Sequence, residues 1–133
     1  MSDVEVWGVY YVEFQYATKK FVALYQVSET DQYGYEHPHW VGCCISTSRQ
    51  NIGDSTLSRF DIPVPFSLNQ GFLKYDSYLN MGRYEQVPER DLHDFKDFLD
   101  RGTQKRIVEC AGDCPALSPR QRDIISNLQT RRS

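Results

Sequence analysis

The sequence predicts a mainly β fold, a small and strongly bent antiparallel sheet with two helices at about 88–101 and 118–129. Aromatic residues make up 14% of the 133 residues and nine of them are Tyr, which favours strands. Short apolar runs alternate with polar turns, as in hairpins. No linker, repeat or low-complexity tract divides the chain, so a single domain over 1–133 is expected.

The first half of the chain predicts three strands. Apolar runs at 6–14 and 21–27, joined by a short polar segment, predict a hairpin. The polar and aromatic segment 28–39 contains Gly34 and Pro38 and predicts a loop long enough to be functional. A third strand is expected at 39–47, followed by a polar loop at 48–58.

The middle of the chain predicts two more strands. The first is short, at 60–64, and is limited by Pro63 and Pro65. The second follows the turn at 69–71 and covers 72–81. Because side chains alternate along a strand, Lys74 and Asp76 are expected side by side on one face.

The period of the apolar residues becomes helical after residue 87. Pro88 suits the first turn of a helix, Gly102 suits the position just past its end, and four apolar residues recur at helical spacing: Leu92, Phe95, Phe98 and Leu99. A short strand is expected at 107–110. In the tail, Ser118 is predicted as N-cap with Pro119 at the first helical position.

The net charge of −3 excludes a global basic field that would gather nucleic acid. An RNA-binding function would need a local patch, and basic residues cluster near the C-terminus: Arg120, Arg122, Arg131 and Arg132. No stretch resembles a signal peptide or a membrane span. A cytoplasmic, reducing location without membrane contact is therefore expected.

The four cysteines allow two interpretations. Cys110 and Cys114 have a spacing that zinc sites use, whereas adjacent Cys43 and Cys44 would point to opposite faces of a strand. Buried thiols are therefore favoured over zinc, and no cofactor is expected. The histidines His37 and His39 flank Pro38 in the predicted loop and are interpreted as loop residues, with a role next to RNA as the minority alternative.

Six segments, taken in order, resemble the PemK/MazF family: WGVYYVEF (7–14), KKFVALYQV (19–27), WVGCCISTS (40–48), FDIPV (60–64), GFLKYDSYLNM (71–81) and SPRQRDIISNLQ (118–129). The resemblance covers nearly the whole chain, with what looks like an insertion at 87–102. It implies an SH3-like barrel that cuts single-stranded RNA as a homodimer, without a metal, in a toxin–antitoxin system. The implied protein partner is an antitoxin.

The resemblance also implies site residues. A hydroxyl at the end of a strand would come from Ser46, Thr47 or Ser48, and Lys74 with Asp76 matches the family's basic residue followed by Asp two positions on, with Lys in place of Arg. At the start of the second strand the family has a basic residue followed by Pro. Lys20 keeps the positive charge of this pattern, but the Pro is absent here.

The catalytic roles follow from the chemistry of RNA cleavage. Asp76 would be the base, and Lys74 or Lys20 would be the acid and stabilise charge. The predicted RNA-binding residues are Lys20, Arg49, His37 and His39.

Two simpler interpretations remain open. Lys74 and Asp76 also fit a surface ion pair, which would contribute little to stability. The acidic chain also fits a non-catalytic module that binds a protein through its Tyr-rich loops, for example a phage-encoded inhibitor.

Overall fold

The computed structural model describes residues 3–15, 17–48 and 60–131. Within them, the predicted mainly β fold is confirmed: seven strands form one antiparallel sheet, joined by two α-helices. The elements in chain order are β1 (Gly8–Phe14), β2 (Ala17–Thr30), β3 (Glu36–Ser46), β4 (Asp61–Val64), β5 (Ser77–Asn80), β6 (Glu85–Pro88), β7 (Phe95–Phe98), α1 (Arg101–Ala111) and α2 (Pro119–Ser126). None of the helices described is long and apolar enough to cross a membrane.

Strand β3 lies in the middle of the sheet and fixes its topology. The strand order is β4-β5-β3-β2-β1-β7, and β6 pairs with β3 outside this path. On the side of β3 away from β2, β5 pairs with Ile45 and Ser46, and β6 pairs with His39–Gly42. The two ends of β3 therefore have different neighbours on that side.

The sheet buries apolar residues on both faces. The larger cluster packs strand residues such as Val22 and Leu79 against Ile107 of α1 and Ile125 of α2. The smaller cluster on the other face contains Phe21, Trp40 and Leu92, among others. Burial of apolar surface on both faces is the main stabilising contribution, because little of either cluster is in contact with water.

Gly42 allows β2 and β3 to approach closely. A Cβ atom at this position would overlap the carbonyl oxygen of Val22 on the neighbouring strand. The pairing of the two strands also shifts register between Ala23 and Tyr25, which indicates a bulge and a local bend. The bent sheet therefore depends on a glycine at position 42.

Trp7 explains why β1 begins later than predicted. Its φ of 71° lies in the left-handed region, which non-glycine residues rarely adopt. The indole is buried and donates from Nε1 to the backbone oxygen of Gln129 at 2.8 Å, while Leu99 donates its backbone N–H to the oxygen of Trp7 at 2.9 Å. These contacts hold the unusual conformation and link the start of the chain to its tail.

The predicted helix at 88–101 is wrong. A short 3-10 turn covers Glu89–Asp91, β7 pairs with β1, and the helix begins only at Arg101. The aromatic residues at helical spacing also fit an edge strand, where the ring of Phe95 lies 5.4 Å from the ring of Tyr10. Long-range pairing with β1 therefore overrides the local pattern.

The start of α1 is fixed by a buried polar cluster. Asp100 is the N-cap, and its carboxylate accepts from the backbone N–H of Thr103 at 3.0 Å and from the side-chain amide of Asn69 at 2.8 Å. With this cap at Asp100, α1 begins at Arg101, the residue at which the predicted helix 88–101 was expected to end. The strand expected at 107–110 is wrong as well, since these residues lie within α1.

The predicted loop at 28–39 is mostly strand. Only residues 31–35 connect β2 and β3, and Asp31 closes the turn by accepting from the backbone N–H groups of Tyr33 at 2.8 Å and Tyr35 at 3.0 Å. Gly34 adopts a φ of 85°, which a turn requires. His37 and His39 are consequently strand residues and not loop residues. The loop expected at 48–58 lies largely outside the described residues.

The predicted strand at 72–81 is limited to Ser77–Asn80. Lys74 and Asp76 precede it, so the expectation that they share a strand face is wrong. The carboxylate of Asp76 instead accepts from the backbone N–H of Phe66 at 2.9 Å, which holds this segment in a turn. Period-two alternation does not apply to it.

The tail helix is confirmed with its predicted cap. Ser118 accepts from the backbone N–H of Gln121 at 3.2 Å, and the Gln121 side chain accepts from the backbone N–H of Ser118 at 3.0 Å. This reciprocal capping box, with Pro119 at the first helical position, sets the start of the helix. The helix ends at Ser126, three residues earlier than predicted.

Candidate functional site

A cleft of about 370 Å³ opens across one end of the sheet, where β2, β3, β5 and β4 lie side by side. Its lining contains three basic residues, Lys19, Lys20 and Arg83, and two acidic residues, Asp61 and Glu85. It also contains the hydroxyl side chains at the end of β3, from Ser46 to Ser48. A cleft in which several polar and charged side chains converge is a candidate binding or active site.

The strand register explains why these residues converge. Ser46 of β3 lies opposite Tyr78 of β5, and Asn80, two residues further along β5, lies opposite Asp61 of β4. Directly opposed residues and residues two apart point to the same face of a sheet. Three strands therefore place side chains on one surface.

The basic residues come from two parts of the fold. Lys19 and Lys20 are adjacent on β2, and their ammonium groups lie 5.4 Å from the ring centroid of Phe14 and 5.7 Å from that of Tyr11. Arg83 lies in the connection between β5 and β6. Adjacent strand residues point to opposite faces, so Lys19 lies on the face of Cys44 and Ser46, whereas Lys20, which pairs with Ile45, lies on the other face. A cation–π contact restrains each lysine on its own side.

The two carboxylates differ in exposure. Asp61 is only 4% exposed and accepts from the side-chain amide of Asn80 at 3.1 Å. Asn80 in turn accepts from the backbone N–H of Gly82 at 2.6 Å. Glu85 is exposed at the start of β6. Glu85 is therefore the carboxylate that a bound molecule reaches more easily.

The hydroxyl residues of the β3 end all line the cleft. Ser46 is the last residue of β3, and Thr47 and Ser48 follow after the strand has ended. The side chain of Ser46 accepts from the backbone N–H of Ser48 at 3.1 Å, which turns the chain. Because Thr47 and Ser48 follow the end of the strand, the alternation of side chains between two faces does not apply to them, and Thr47 lines the cleft together with Ser46 and Ser48.

The thiol at the edge of the cleft is a poor nucleophile. Burial raises the pKa of Cys44 to about 11, an effect that the nearby Lys19 ammonium opposes and the Glu85 carboxylate reinforces. Burial also raises the pKa of Cys43 far above its ordinary value. Because the thiolate is the reactive form, neither cysteine is set up for attack near neutral pH.

In the described part of the chain, the cysteines do not form a metal site with one another or with other potential ligands. All four thiols are free; Cys43 and Cys114 are buried, and Cys44 and Cys110 are half-buried. Cys43 belongs to the larger apolar cluster and Cys44 packs against the smaller one, as strand alternation predicts. Over residues 3–15, 17–48 and 60–131, no group of three or more His, Cys, Asp or Glu residues has a geometry that could hold a metal ion.

The structure brings together only part of the predicted site. Lys20, Ser46 and Thr47 line the cleft, whereas Lys74 and Asp76 do not, although Asp76 is two residues from Tyr78, which does. Two predicted RNA-binding residues, His37 and His39, line a separate groove at the other end of β3. Arg49, also predicted to bind RNA, lies outside the described residues.

The sequence analysis missed Lys19 of β2 and Glu85 of β6, and it also missed a set of four residues on the other side of the cleft: Asp61, Tyr78, Asn80 and Arg83. Each of these four belongs to β4, β5 or the connection that follows β5. Their place in the cleft depends on the pairing of β5 with both β3 and β4. Apolar periodicity identifies strands but not their partners, so the sequence offered no signal for this set.

Comparison with known proteins supports the fold. No protein-family model matches the chain, and no curated protein matches it. An endoribonuclease in complex with its cognate antitoxin, from a mycobacterial species, is similar with 15% identity and a TM-score of 0.53 over 89% of this chain and 98% of that one. A second mycobacterial endoribonuclease has 15% identity and a TM-score of 0.50 over 85% and 91%. The resemblance expected from the sequence is therefore confirmed as a shared fold.

Proposed function

We propose that the protein is a metal-independent, sequence-selective endoribonuclease that cuts single-stranded RNA in the cleft. The observation that carries the proposal is the convergence of Lys19 and Arg83 with Glu85 and the hydroxyls at the end of β3. The fold, shared with two mycobacterial endoribonucleases, supports it.

The proposed reaction uses a nucleophile that the substrate supplies. The 2′-hydroxyl of RNA loses its proton and attacks the adjacent phosphorus, the bond from phosphorus to the 5′-oxygen breaks, and that oxygen gains a proton. The products are a 2′,3′-cyclic phosphate and a free 5′-hydroxyl. The protein must therefore supply a base, an acid and positive charge for the crowded phosphorane.

The cleft contains a group for each role. Glu85 is the exposed carboxylate and serves as the base, whereas Asp61 is buried and hydrogen-bonded to Asn80. Lys19 serves as the acid, because it lies on the same sheet face as Glu85 and Ser46, whereas Lys20 points to the other face. Arg83 binds the phosphate oxygens, because its planar guanidinium donates two parallel hydrogen bonds that a lysine cannot.

Lys74 and Asp76 remain a second assignment for the same roles. They lie just before β5, outside the cleft lining, and the Asp76 carboxylate already accepts from the backbone of Phe66. We favour Glu85 and Arg83 on these grounds. Comparing variants of Asp76 and Glu85 distinguishes the two assignments.

Substrate selection would come from the remaining groups of the cleft. The hydroxyls of Ser46 and Thr47 lie where they can donate to a phosphate, and the half-buried ring of Tyr78 offers a surface for stacking a base. Stacking on an aromatic ring contributes about 1–3 kcal/mol for each base.

The same proposal includes the biological setting. The protein would act as a cytoplasmic homodimeric toxin that an antitoxin neutralises, because one endoribonuclease of the same fold forms a complex with its cognate antitoxin. An acidic chain with a local basic cleft can still bind RNA, since phosphate contacts act over short distances at physiological salt.

The test is cleavage of a long RNA of mixed sequence by the purified protein in excess EDTA. We expect cuts at one short recurring sequence. Lys19→Ala and Arg83→Ala should each reduce the rate about 10²- to 10³-fold, the usual effect of removing a group that stabilises transition-state charge. Matched controls are Lys105→Ala and Arg106→Ala, which remove exposed basic side chains of α1.

Three results would contradict the proposal. Intact RNA under all conditions would remove the enzymatic function, and cleavage only after a divalent metal is added would remove metal independence. An equal loss in the α1 controls would show that the cleft is not the site.

A non-catalytic protein-binding function is the alternative, and one observation favours it. Tyr33 and Tyr35, at the tip of the β2–β3 hairpin, are 76% and 69% exposed. Exposed Tyr residues on a rigid hairpin are common in protein interfaces. If the RNA stays intact and expression of the protein does not slow cell growth, this alternative gains.

A further inference from the structure

A larger groove, of about 860 Å³, lies at the end of β3 opposite the cleft. Its floor is apolar and includes the buried side chains of Val4, Tyr10 and Leu92, with the partly exposed ring of Phe95 beside them. An apolar groove of this size with a polar rim is typical of a binding surface.

The rim of the groove is negatively charged. Four carboxylates line it, from Asp3, Glu29, Asp31 and Glu89, against the guanidinium of Arg90 and the imidazole of His37, whose Nε2 lies 2.7 Å from the Asp31 carboxylate. A floor that attracts apolar side chains beneath a negative rim is complementary to a segment that carries both apolar and basic residues. The same charge repels RNA.

Neutral hydrogen-bond donors hold two of the carboxylates in place. Glu29 accepts from the side-chain amide of Gln86 at 2.6 Å, and Glu89 accepts from the indole of Trp40 at 2.9 Å. These donors orient the carboxylates without cancelling their charge. The rim is therefore largely preorganised, which lowers the entropic cost of binding a cation.

A short stretch of strand edge lies open beside the groove. Residues 36–38 of β3 pair with β2 on one side, but β6 begins to pair with β3 only at His39. Over the residues that the structure describes, no strand covers the other side of 36–38. An extended peptide can form one or two backbone hydrogen bonds with such an edge, because only alternate residues direct their N–H and C=O groups outward and Pro38 has no N–H to donate.

We propose that this groove binds an extended, basic and partly apolar segment of a protein partner. Its apolar side chains lie on the floor, its Lys or Arg side chains contact the four carboxylates, and its backbone lies along residues 36–38. His37 and Ser46 are nine residues apart on β3, roughly 30 Å at the rise of a strand, so the groove and the cleft can be occupied together.

The probe is a fluorescein-labelled peptide of about twelve alternating Lys and Val residues, long enough to span the groove in an extended form. The control peptide has Glu in place of Lys. Fluorescence anisotropy at low salt should show binding of the Lys peptide only, and binding should weaken as salt is added.

Two double variants with equal changes in charge locate the binding. Asp3→Asn with Glu29→Gln should weaken the Lys peptide about tenfold, because it removes two rim charges. Glu109→Gln with Asp113→Asn removes two exposed carboxylates in and just after α1, and should change the affinity less than twofold or so. Equal weakening in both would overturn the proposal.

The histidines give a direct report of position. All three histidines of the chain, His37, His39 and His93, line this groove. Binding of the Lys peptide should therefore shift their NMR signals, and the cleft variant Lys20→Ala should leave the affinity unchanged. Unshifted histidine signals, equal binding of the Glu peptide, or loss of binding in Lys20→Ala would each contradict the proposal.

A second copy of the chain is the competing occupant. Analytical ultracentrifugation of the wild type and of Glu29→Lys distinguishes the two. We expect the same oligomeric state for both proteins. A dimer that dissociates in Glu29→Lys would assign the groove to self-association and overturn the proposal.

Discussion

Asn80 and Asp61 face each other across β5 and β4, and the amide of Asn80 donates to the carboxylate of Asp61 at 3.1 Å within the wall of the cleft. Both side chains are less than one-tenth exposed. Asn80 also accepts from the backbone of Gly82, which begins the turn leading to Arg83. One buried amide thus connects the wall of the cleft to the segment that carries the arginine.

Replacing Asn80→Ala should lower the free energy of unfolding by about 1–3 kcal/mol, because buried hydrogen-bonding groups lose a partner. Urea denaturation measures it. The matched control is Asn127→Ala, an exposed amide at the end of α2, which should cost less than about 1 kcal/mol. A cost for Asn80→Ala no larger than for the control would show that the bond contributes little.

The identity of the base separates Glu85 from Asp76. Glu85→Gln should slow RNA cleavage about 10²- to 10⁴-fold if Glu85 is the general base, because the glutamine cannot accept the proton. Asp76→Asn should stay within a few-fold of the wild type, since its carboxylate accepts from the backbone of Phe66 outside the cleft. Single-turnover cleavage rates at equal folded fractions provide the measurement. The opposite pattern would restore Asp76 as the base.

Stability should fall at alkaline pH because of Cys44. Burial raises the pKa of this thiol from about 9 in the unfolded chain to about 11 in the fold. A raised folded-state pKa gives a contribution that is complete below the unfolded pKa and is lost as pH rises through the folded one. Between about pH 9 and pH 11 the loss should be on the order of 2–3 kcal/mol, at ~1.4 kcal/mol per pKa unit.

The control for this pH dependence is Cys44→Ser, whose hydroxyl does not ionise in that range. Urea unfolding at several pH values should show a shallower decline for the variant than for the wild type. Identical declines would mean that other groups dominate the effect, such as the half-buried Tyr84, whose pKa burial also raises.

The capping box of α2 should be worth about 1 kcal/mol. Ser118→Ala removes the side-chain acceptor of the Gln121 backbone N–H, and an N-cap Ser contributes about 0.5–2 kcal/mol to stability. Gln121→Ala removes the reciprocal bond and should cost less. Thermal and urea unfolding followed by circular dichroism measure both. A larger loss for Gln121→Ala would contradict this ranking.

Local sequence determined the elements whose signals lie within a few residues. Ser118, Pro119 and Gln121 define the start of α2 through contacts no further than one helical turn. The apolar alternation in the first hairpin and in β3 likewise follows from side chains that must point to one buried face. The hydroxyls at 46–48 and Lys20 were expected as site residues because of the resemblance to the PemK/MazF family, whose segments these strands match.

Tertiary structure decided the elements for which two local states compete. Phe95 and Phe98 have helical spacing with neighbouring apolar residues, yet they form an edge strand that pairs with β1, where the ring of Phe95 contacts Tyr10. The cleft was decided in the same way. Arg83 and Asp61 join Lys20 only when β5 pairs with β3 and β4, and such pairings connect residues far apart in sequence, beyond the reach of local periodicity.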